Sequence, residues 1–192
     1  MIPEFSQHIE SIDKGDLLIS EPFLNDPNFE RTVVLICESN ENGHVGLVLN
    51  KAMEEVTLED VLEDAVNLRN KLYIGGPVDP SLLQFVHTVG PDLENSVQIN
   101  DVIYWGGDFE QAKILLSVDT IENGAIRFFL GYSGWGPDQL KKECDEDAWI
   151  VIKDYQNDLL KIDPKEMWRE ILKEKGDTYK MLSNFPIDPR LN

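Results

Sequence analysis

The sequence predicts an α+β fold: one domain on a mixed, largely buried β-sheet that curls toward a barrel, with helices packed around it. Three observations point there. Short apolar runs rich in β-branched residues recur along the chain, as in Thr32–Cys37 and Val45–Leu49. Helix signatures fall between them in irregular order, so the strict β-α alternation of a doubly wound sheet or a TIM barrel is absent. Finally, no repeat, low-complexity run or Pro/Gly/Ser-rich linker divides the 192 residues. The expected organisation is a flexible opening segment, residues 1–14, followed by one α+β domain over residues 15–192.

The elements follow in order. Asp16-Leu17-Leu18-Ile19 reads as the first strand, then a turn-rich stretch runs from Glu21 to Pro27. Thr32–Cys37 is apolar without alternation, which suits a strand buried on both faces. Asn40-Glu41-Asn42-Gly43 supplies turn chemistry, and Val45–Leu49 is its hairpin partner. Two such strands cannot face water, so the hairpin is central. Thr57-Leu58-Glu59-Asp60 opens a short helix with a capping threonine and an acidic first turn. Lys71–Ile74 is a strand stopped by Gly75-Gly76-Pro77; Leu82–His87 alternates weakly, and Val97–Trp105 holds two further β segments.

Asp108 caps the next helix, with Ala112, Leu115 and Leu116 on one face and Gln111 placed to reach back. Ala125–Tyr132 returns as a strand. Gly136-Pro137 starts a helix containing Leu140, and Trp149–Ile152 is the last strand. Asp163-Pro164-Lys165-Glu166 combines a cap, a proline at the first helical position and a glutamate three on from the cap. Met167, Trp168, Ile171 and Leu172 form that helix's apolar stripe.

Composition limits function. There are 36 acidic and 17 basic residues, a formal net charge of −19, which opposes any partner made of phosphodiesters. No apolar stretch is long enough to span a bilayer, and the opening residues lack a basic start and an apolar core, so no membrane association or export is expected. Two isolated cysteines, Cys37 and Cys144, make neither a disulfide framework nor a zinc site; a reducing, cytoplasmic setting follows.

Motifs that carry chemistry are incomplete. Gly131-Tyr132-Ser133-Gly134-Trp135 resembles a nucleophile elbow, but tryptophan stands where the second glycine belongs. The glycines then simply allow a tight strand-to-helix turn over Trp135. Gly75-Gly76 and Gly106-Gly107-Asp108 follow strands, yet neither has a Walker lysine or dinucleotide spacing, and Asp108 sets a negative charge where phosphate would sit. His8, His44 and His87 lack metal-ligand spacing; His87, ending an apolar strand, is the one acid-base candidate. The acidic run Glu143–Asp147 lacks the loop of an EF-hand and reads as a solvated face. Arg31, at the mouth of a buried strand in a chain short of cations, reads as forking onto a carboxylate or strand-end carbonyls, with anion binding as the second possibility. No catalytic set, cofactor or metal site is assigned.

Taken in order, several segments carry a resemblance. They are Gly15–Leu18 with Pro22, Asp26–Leu35, Gly43–Asn50, Tyr73–Val78, His87, Gly106–Asp108, Gly131–Trp135 with Gln139-Leu140, and Trp149. Together they resemble the YqgE/AlgH family of small bacterial proteins, over about Gly15 to Trp168. The resemblance implies a bifurcated or partly barrelled sheet surrounded by helices and no established enzymatic activity. It also implies a transcriptional-regulator label on part of the family. The resemblance carries no residue role over; the residues nominated for ligand binding, all among those that recur in the family, are Arg31, Asn50, Gly76, His87, Asp108 and Trp135.

Three functions compete. The favoured one is a non-enzymatic cytoplasmic domain that binds a protein or a small molecule. Next comes an enzyme of unrecognised type using His87 and Asp108 as its acid-base pair. Last is the regulator, which the net charge of −19 disfavours as a direct DNA binder.

Overall fold

In the computed structural model, which describes residues 10–118, 120–122 and 124–185, the strands follow the apolar runs. In chain order they are β1 (Leu17–Ser20), β2 (Val33–Asn40), β3 (Gly43–Val48) and β4 (Ala52–Thr57), then helix α1 (Leu58–Val61). β5 (Lys71–Ile74), β6 (Val78–His87), β7 (Val97–Gln98) and β8 (Tyr104–Trp105) precede α2 (Phe109–Ser117). β9 (Ile126–Trp135), α3 (Gln139–Asp145), β10 (Trp149–Ile152), a 3-10 turn (Leu159–Lys161), α4 (Pro164–Glu174) and α5 (Asp177–Leu182) complete the described chain.

The strands form one open, branched sheet in the order β10-β1-β2-β3-β9-β6-β8-β7, with β4 and β5 off this path. All pairings are antiparallel except β5 with β9, which is parallel, so the sheet is mixed. The branch lies on β9. β6 runs along one of its edges, while the other is taken first by β5, from Phe128 to Leu130, and then by β3, from Ser133 to Trp135. Between those two partners sits Gly131 at φ +70, where a Cβ would lie 2.7 Å from the Gly76 carbonyl oxygen. Gly76 in turn, at φ +154, passes so close to Tyr132 that a Cβ would lie 2.3 Å from its backbone. Only glycine permits both the positive φ and the approach. Gly76, from the first of the two glycine pairs, and Gly131, from the elbow-like motif, therefore shape the fork of the sheet.

Both faces of the central strands are covered, as the uninterrupted apolar runs require. Leu17, Ile19, Val33, Leu35 and Cys37 face one core, closed by Met167, Trp168, Ile171 and Leu172 of α4. Leu18, Val34, Ile36 and Val48 point the other way, to Trp135, Leu140, Cys144 and Trp149. A third cluster packs Leu72, Phe85 and Phe128 under α1 and α2, with Leu58 and Ala112. The α4 stripe is the one its sequence periodicity predicts, and Asp163 caps the helix by accepting from the Lys165 N–H at 2.9 Å.

Some boundaries differ from the sequence reading. β4 reads as polar, because it is a partly exposed strand paired on one side only. α5 adds a helix that no cap signalled: its N-cap is Gly176, with no side-chain bond. Gly131–Trp135 is not a strand-to-helix turn; it continues β9 to Trp135, because β3 supplies a new ladder beyond the fork. Of the segment for which the sequence predicts flexibility, residues 1–9 lie outside the described residues. Further on, Ile12 is buried in the second core and its carbonyl accepts from Ser39 Oγ at 2.7 Å.

Candidate functional site

The six nominated residues are all engaged in holding the fold. Arg31 stands at φ +49, lays its guanidinium 4.7 Å from the Trp168 ring centroid and donates to the Phe185 carbonyl. Burial lowers its pKa, and no carboxylate pairs with it among the described residues. Asn50 ties the same loop to β2: its Nδ2 donates to the Arg31 carbonyl at 2.9 Å and its Oδ1 accepts from the Val33 N–H at 2.9 Å. Gly76 is at the fork. His87 is fully buried, with Nε2 2.9 Å from Ser96 Oγ and 3.1 Å from the Gly106 carbonyl oxygen. Ser96 Oγ gives its one proton to the Leu93 carbonyl at 2.6 Å, so the network assigns the imidazole proton to Nε2 and leaves Nδ1 a buried acceptor with no partner among the described residues. Asp108 caps α2, accepting from the Gln111 N–H at 2.8 Å; Gln111 reaches to the Glu94 N–H instead of back to the cap. Trp135 is buried and donates its indole N–H to Glu143 at 2.9 Å.

Arg31 and Asn50 are thus joined by a direct bond, whereas His87 and Asp108 each serve the 93–106 loop and α2 separately. Neither Ser133 nor the cysteines are open to a reactant. Ser133 is fully buried and donates to the Gly75 carbonyl at 3.2 Å. Burial pushes both thiols well above their usual range, the Cys144 thiol to about 12, with Glu143 and Asp145 adding to it. Among the described residues no group of three His, Cys, Asp or Glu is arranged to hold a metal ion, and no helix is long and apolar enough to cross a membrane.

The structure brings other residues together. A cleft of about 420 Å³ is lined by Arg69, Asn70, Lys71, Tyr73, Gly124, Ile126 and Arg127. The parallel pairing of β5 with β9 builds it. Leu72 sits level with Phe128 and Tyr73 with Phe129, so Lys71 is level with Arg127. Alternation then puts Lys71, Tyr73, Arg127 and Phe129 on one face. Arg69 enters from the preceding loop, held by Glu59 at 3.1 Å. Arg127 is 7% exposed and lies 4.7 Å over the Tyr73 ring; it donates to the Leu49 carbonyl at 3.0 Å and the Leu160 carbonyl at 3.1 Å. Burial lowers its pKa, while the charge of Asp158 acts the other way.

Comparison with known proteins decides the family. The family model described as AlgH-like (DUF179) matches residues 17–180. The chain belongs to the AlgH-like family. A UPF0301 protein of Cytophaga hutchinsonii is 46% identical over 182 residues, covering 94% of this chain and all of the relative. A UPF0301 protein of Chlorobium limicola is 37% identical, with both chains covered in full. The solution structure of the AlgH protein from Pseudomonas aeruginosa superposes with a TM-score of 0.70 at 25% identity, over 94% of this chain and 97% of that one. The crystal structure of protein DIP2367 from Corynebacterium diphtheriae has the same fold, with a TM-score of 0.75, 23% identity and coverage of 93% and 95%.

Within this AlgH-like chain two further clefts meet at His44. One, of about 410 Å³, runs past Glu10, Asp13, Glu41 and Asp138; the other, of about 320 Å³, contains Trp135. His44 Nδ1 is buried without a partner among the described residues, and burial lowers its pKa against the pull of Asp13. Of the six nominated residues, Trp135 alone lines one of these three clefts. Arg127 is the residue sequence reasoning passed over. Its signal was there, a lone cation inside the apolar run Ile126–Leu130, but the neighbour that makes it a cleft, Lys71, is 56 residues away by number (127 − 71) and meets it only through the parallel pairing.

Proposed function

We propose that this AlgH-like protein is a non-enzymatic binding domain of the cytoplasm, and that the Arg69–Lys71–Tyr73–Arg127 cleft is its ligand site. One observation carries the reading: the side chains that the sequence nominates for acid-base or nucleophilic chemistry, His87, Asp108 and Ser133, are held by internal bonds, while the cleft gathers two arginines and a lysine around an open volume. A general base must reach its substrate, and His87 is fully buried. The cleft volume falls in the range of small-molecule sites, about 300–1,000 Å³. The free buried thiols of Cys37 and Cys144 support a reducing compartment. The nominated residues support the cleft indirectly: Asn50 pins the chain next to Leu49, whose carbonyl anchors Arg127, and His87 pairs with Ile126 in the adjoining ladder.

The test is to incubate the full chain with a pool of bacterial metabolites and follow the pool by mass spectrometry. Binding predicts depletion of one compound up to one equivalent, constant in time. Depletion beyond one equivalent with a new product appearing would show turnover and sink the reading.

A further inference from the structure

We propose that the cleft between β5 and β9 is a site for a small phosphorylated molecule, a deepening that rests on the binding-domain reading above. In a chain with 36 acidic and 17 basic residues, a cleft whose seven described lining residues include two arginines and one lysine but no carboxylate is against the composition. Such a lining concentrates anions locally even on an acidic protein.

Arg127 makes the stronger case. A buried cation is costly unless paired, and salt-bridged arginines commonly fork onto a carboxylate. Here the described residues contain no ion pair to Arg127. Asp158, whose charge reaches it, is engaged with the Leu160 N–H at 3.0 Å and with Lys161 at 3.7 Å. The two carbonyls and the Tyr73 ring orient the guanidinium without neutralising it, and they engage two of its five N–H donors. What remains is a fixed, positively charged fork in the wall of an open cleft.

Lys71 and Arg69 then set the class of ligand. Lys71 is an exposed cation on the same strand face, one side chain along from Tyr73, and Arg69 approaches from the loop. Three cations, Arg69 and Lys71 from one stretch of chain and Arg127 from β9, with Arg69 already sharing its charge with Glu59, suit a tetrahedral group with about two negative charges, whose oxygens point several ways at once; a single planar carboxylate offers one charge and two oxygens. The cleft exceeds a bare phosphate, and Ile126 and Tyr73 offer apolar surface for an organic remainder.

Pyrophosphate is the probe, titrated calorimetrically into the full chain at low ionic strength. The expected result is one saturable site, weakened at least about ten-fold by Lys71→Glu, an exposed position whose change spares the core. Lys141→Glu, which makes the same change in net charge at the His44 cleft, should leave binding within about two-fold of the parent. Equal weakening by both variants would reduce the effect to net charge and overturn the site. Citrate binding as tightly as pyrophosphate overturns the phosphate assignment. A chain that retains a compound from the metabolite pool without turnover, yet ignores pyrophosphate, overturns this inference while leaving the binding-domain reading standing.

Discussion

Trp135 and Trp149 donate their indole N–H groups to the same oxygen of Glu143, at 2.9 and 2.8 Å. Their rings meet edge-on with centroids 6.0 Å apart, and Phe29 packs against both. The carboxylate thus joins the end of β9, the start of β10 and α3 through charge-assisted bonds, while its second oxygen accepts from Gln139 Nε2 at 3.0 Å. In the sequence Glu143 belongs to a solvated acidic run. In the fold it clamps two aromatic residues over the second core.

Glu143→Ala should therefore destabilise the chain by about 2–4 kcal/mol, since bonds to a charged group are worth roughly 1.5–3 kcal/mol each and two buried donors lose their acceptor. Asp145→Ala, an exposed neighbour, should shift stability by less than about 0.5 kcal/mol. Urea unfolding followed by tryptophan fluorescence measures both. Equal effects from the two substitutions would mean the clamp contributes nothing.

Acid should weaken the fold through His87. Its ordinary pKa is 6.5, and burial, opposed by the bond to the Gly106 carbonyl, lowers it in the folded chain. The unfolded chain then binds the proton more readily, so the stability linked to this group is complete above pH 6.5 and is lost as pH falls toward the folded value. Below 6.5 the slope contributed by one such group approaches about 1.4 kcal/mol per pH unit. His87→Gln removes that contribution. Urea midpoints collected from pH 7.5 to 5 should fall more steeply for the parent than for the variant; parallel curves would show that His87 is not the group responsible.

The sheet fork gives the sharpest steric prediction. Gly131→Ala forces a Cβ to within 2.7 Å of the Gly76 carbonyl oxygen and 2.9 Å of the Val78 carbonyl oxygen, at a φ that L residues avoid. Strain and overpacking together should cost about 3 kcal/mol or more. Gly124→Ala has a similar positive φ with nothing within 4 Å of the new methyl, so the conformational penalty of about 1–2 kcal/mol remains alone. Thermal unfolding of the two variants separates strain from clash.

These residues also show what local sequence can and cannot state. The α4 stripe, the Asp108 and Asp163 caps and the two-faced apolar strands are set by neighbours within a few positions, and each forms where periodicity and capping place it. The fork, the Trp135–Glu143–Trp149 clamp and the Lys71–Arg127 cleft depend on strands that pair across long stretches of chain. Local pattern therefore records Gly131 only as a turn, Glu143 only as surface and Arg127 only as an interruption.

Ser133→Ala tests whether the elbow-like motif has any chemistry. Its hydroxyl donates to the Gly75 carbonyl at 3.2 Å, and that carbonyl also accepts the Val48 N–H at 2.8 Å. The substitution leaves the carbonyl bonded and removes one long neutral bond, so the loss should be about 0.5–1 kcal/mol. A fluorophosphonate probe should label neither parent nor variant, because the serine is fully buried and no imidazole among the described residues is bonded to it. Pyrophosphate should titrate into both alike, since the serine does not line the β5–β9 cleft. Probe labelling of the parent that Ser133→Ala abolishes would establish a nucleophile here and overturn the binding-domain reading.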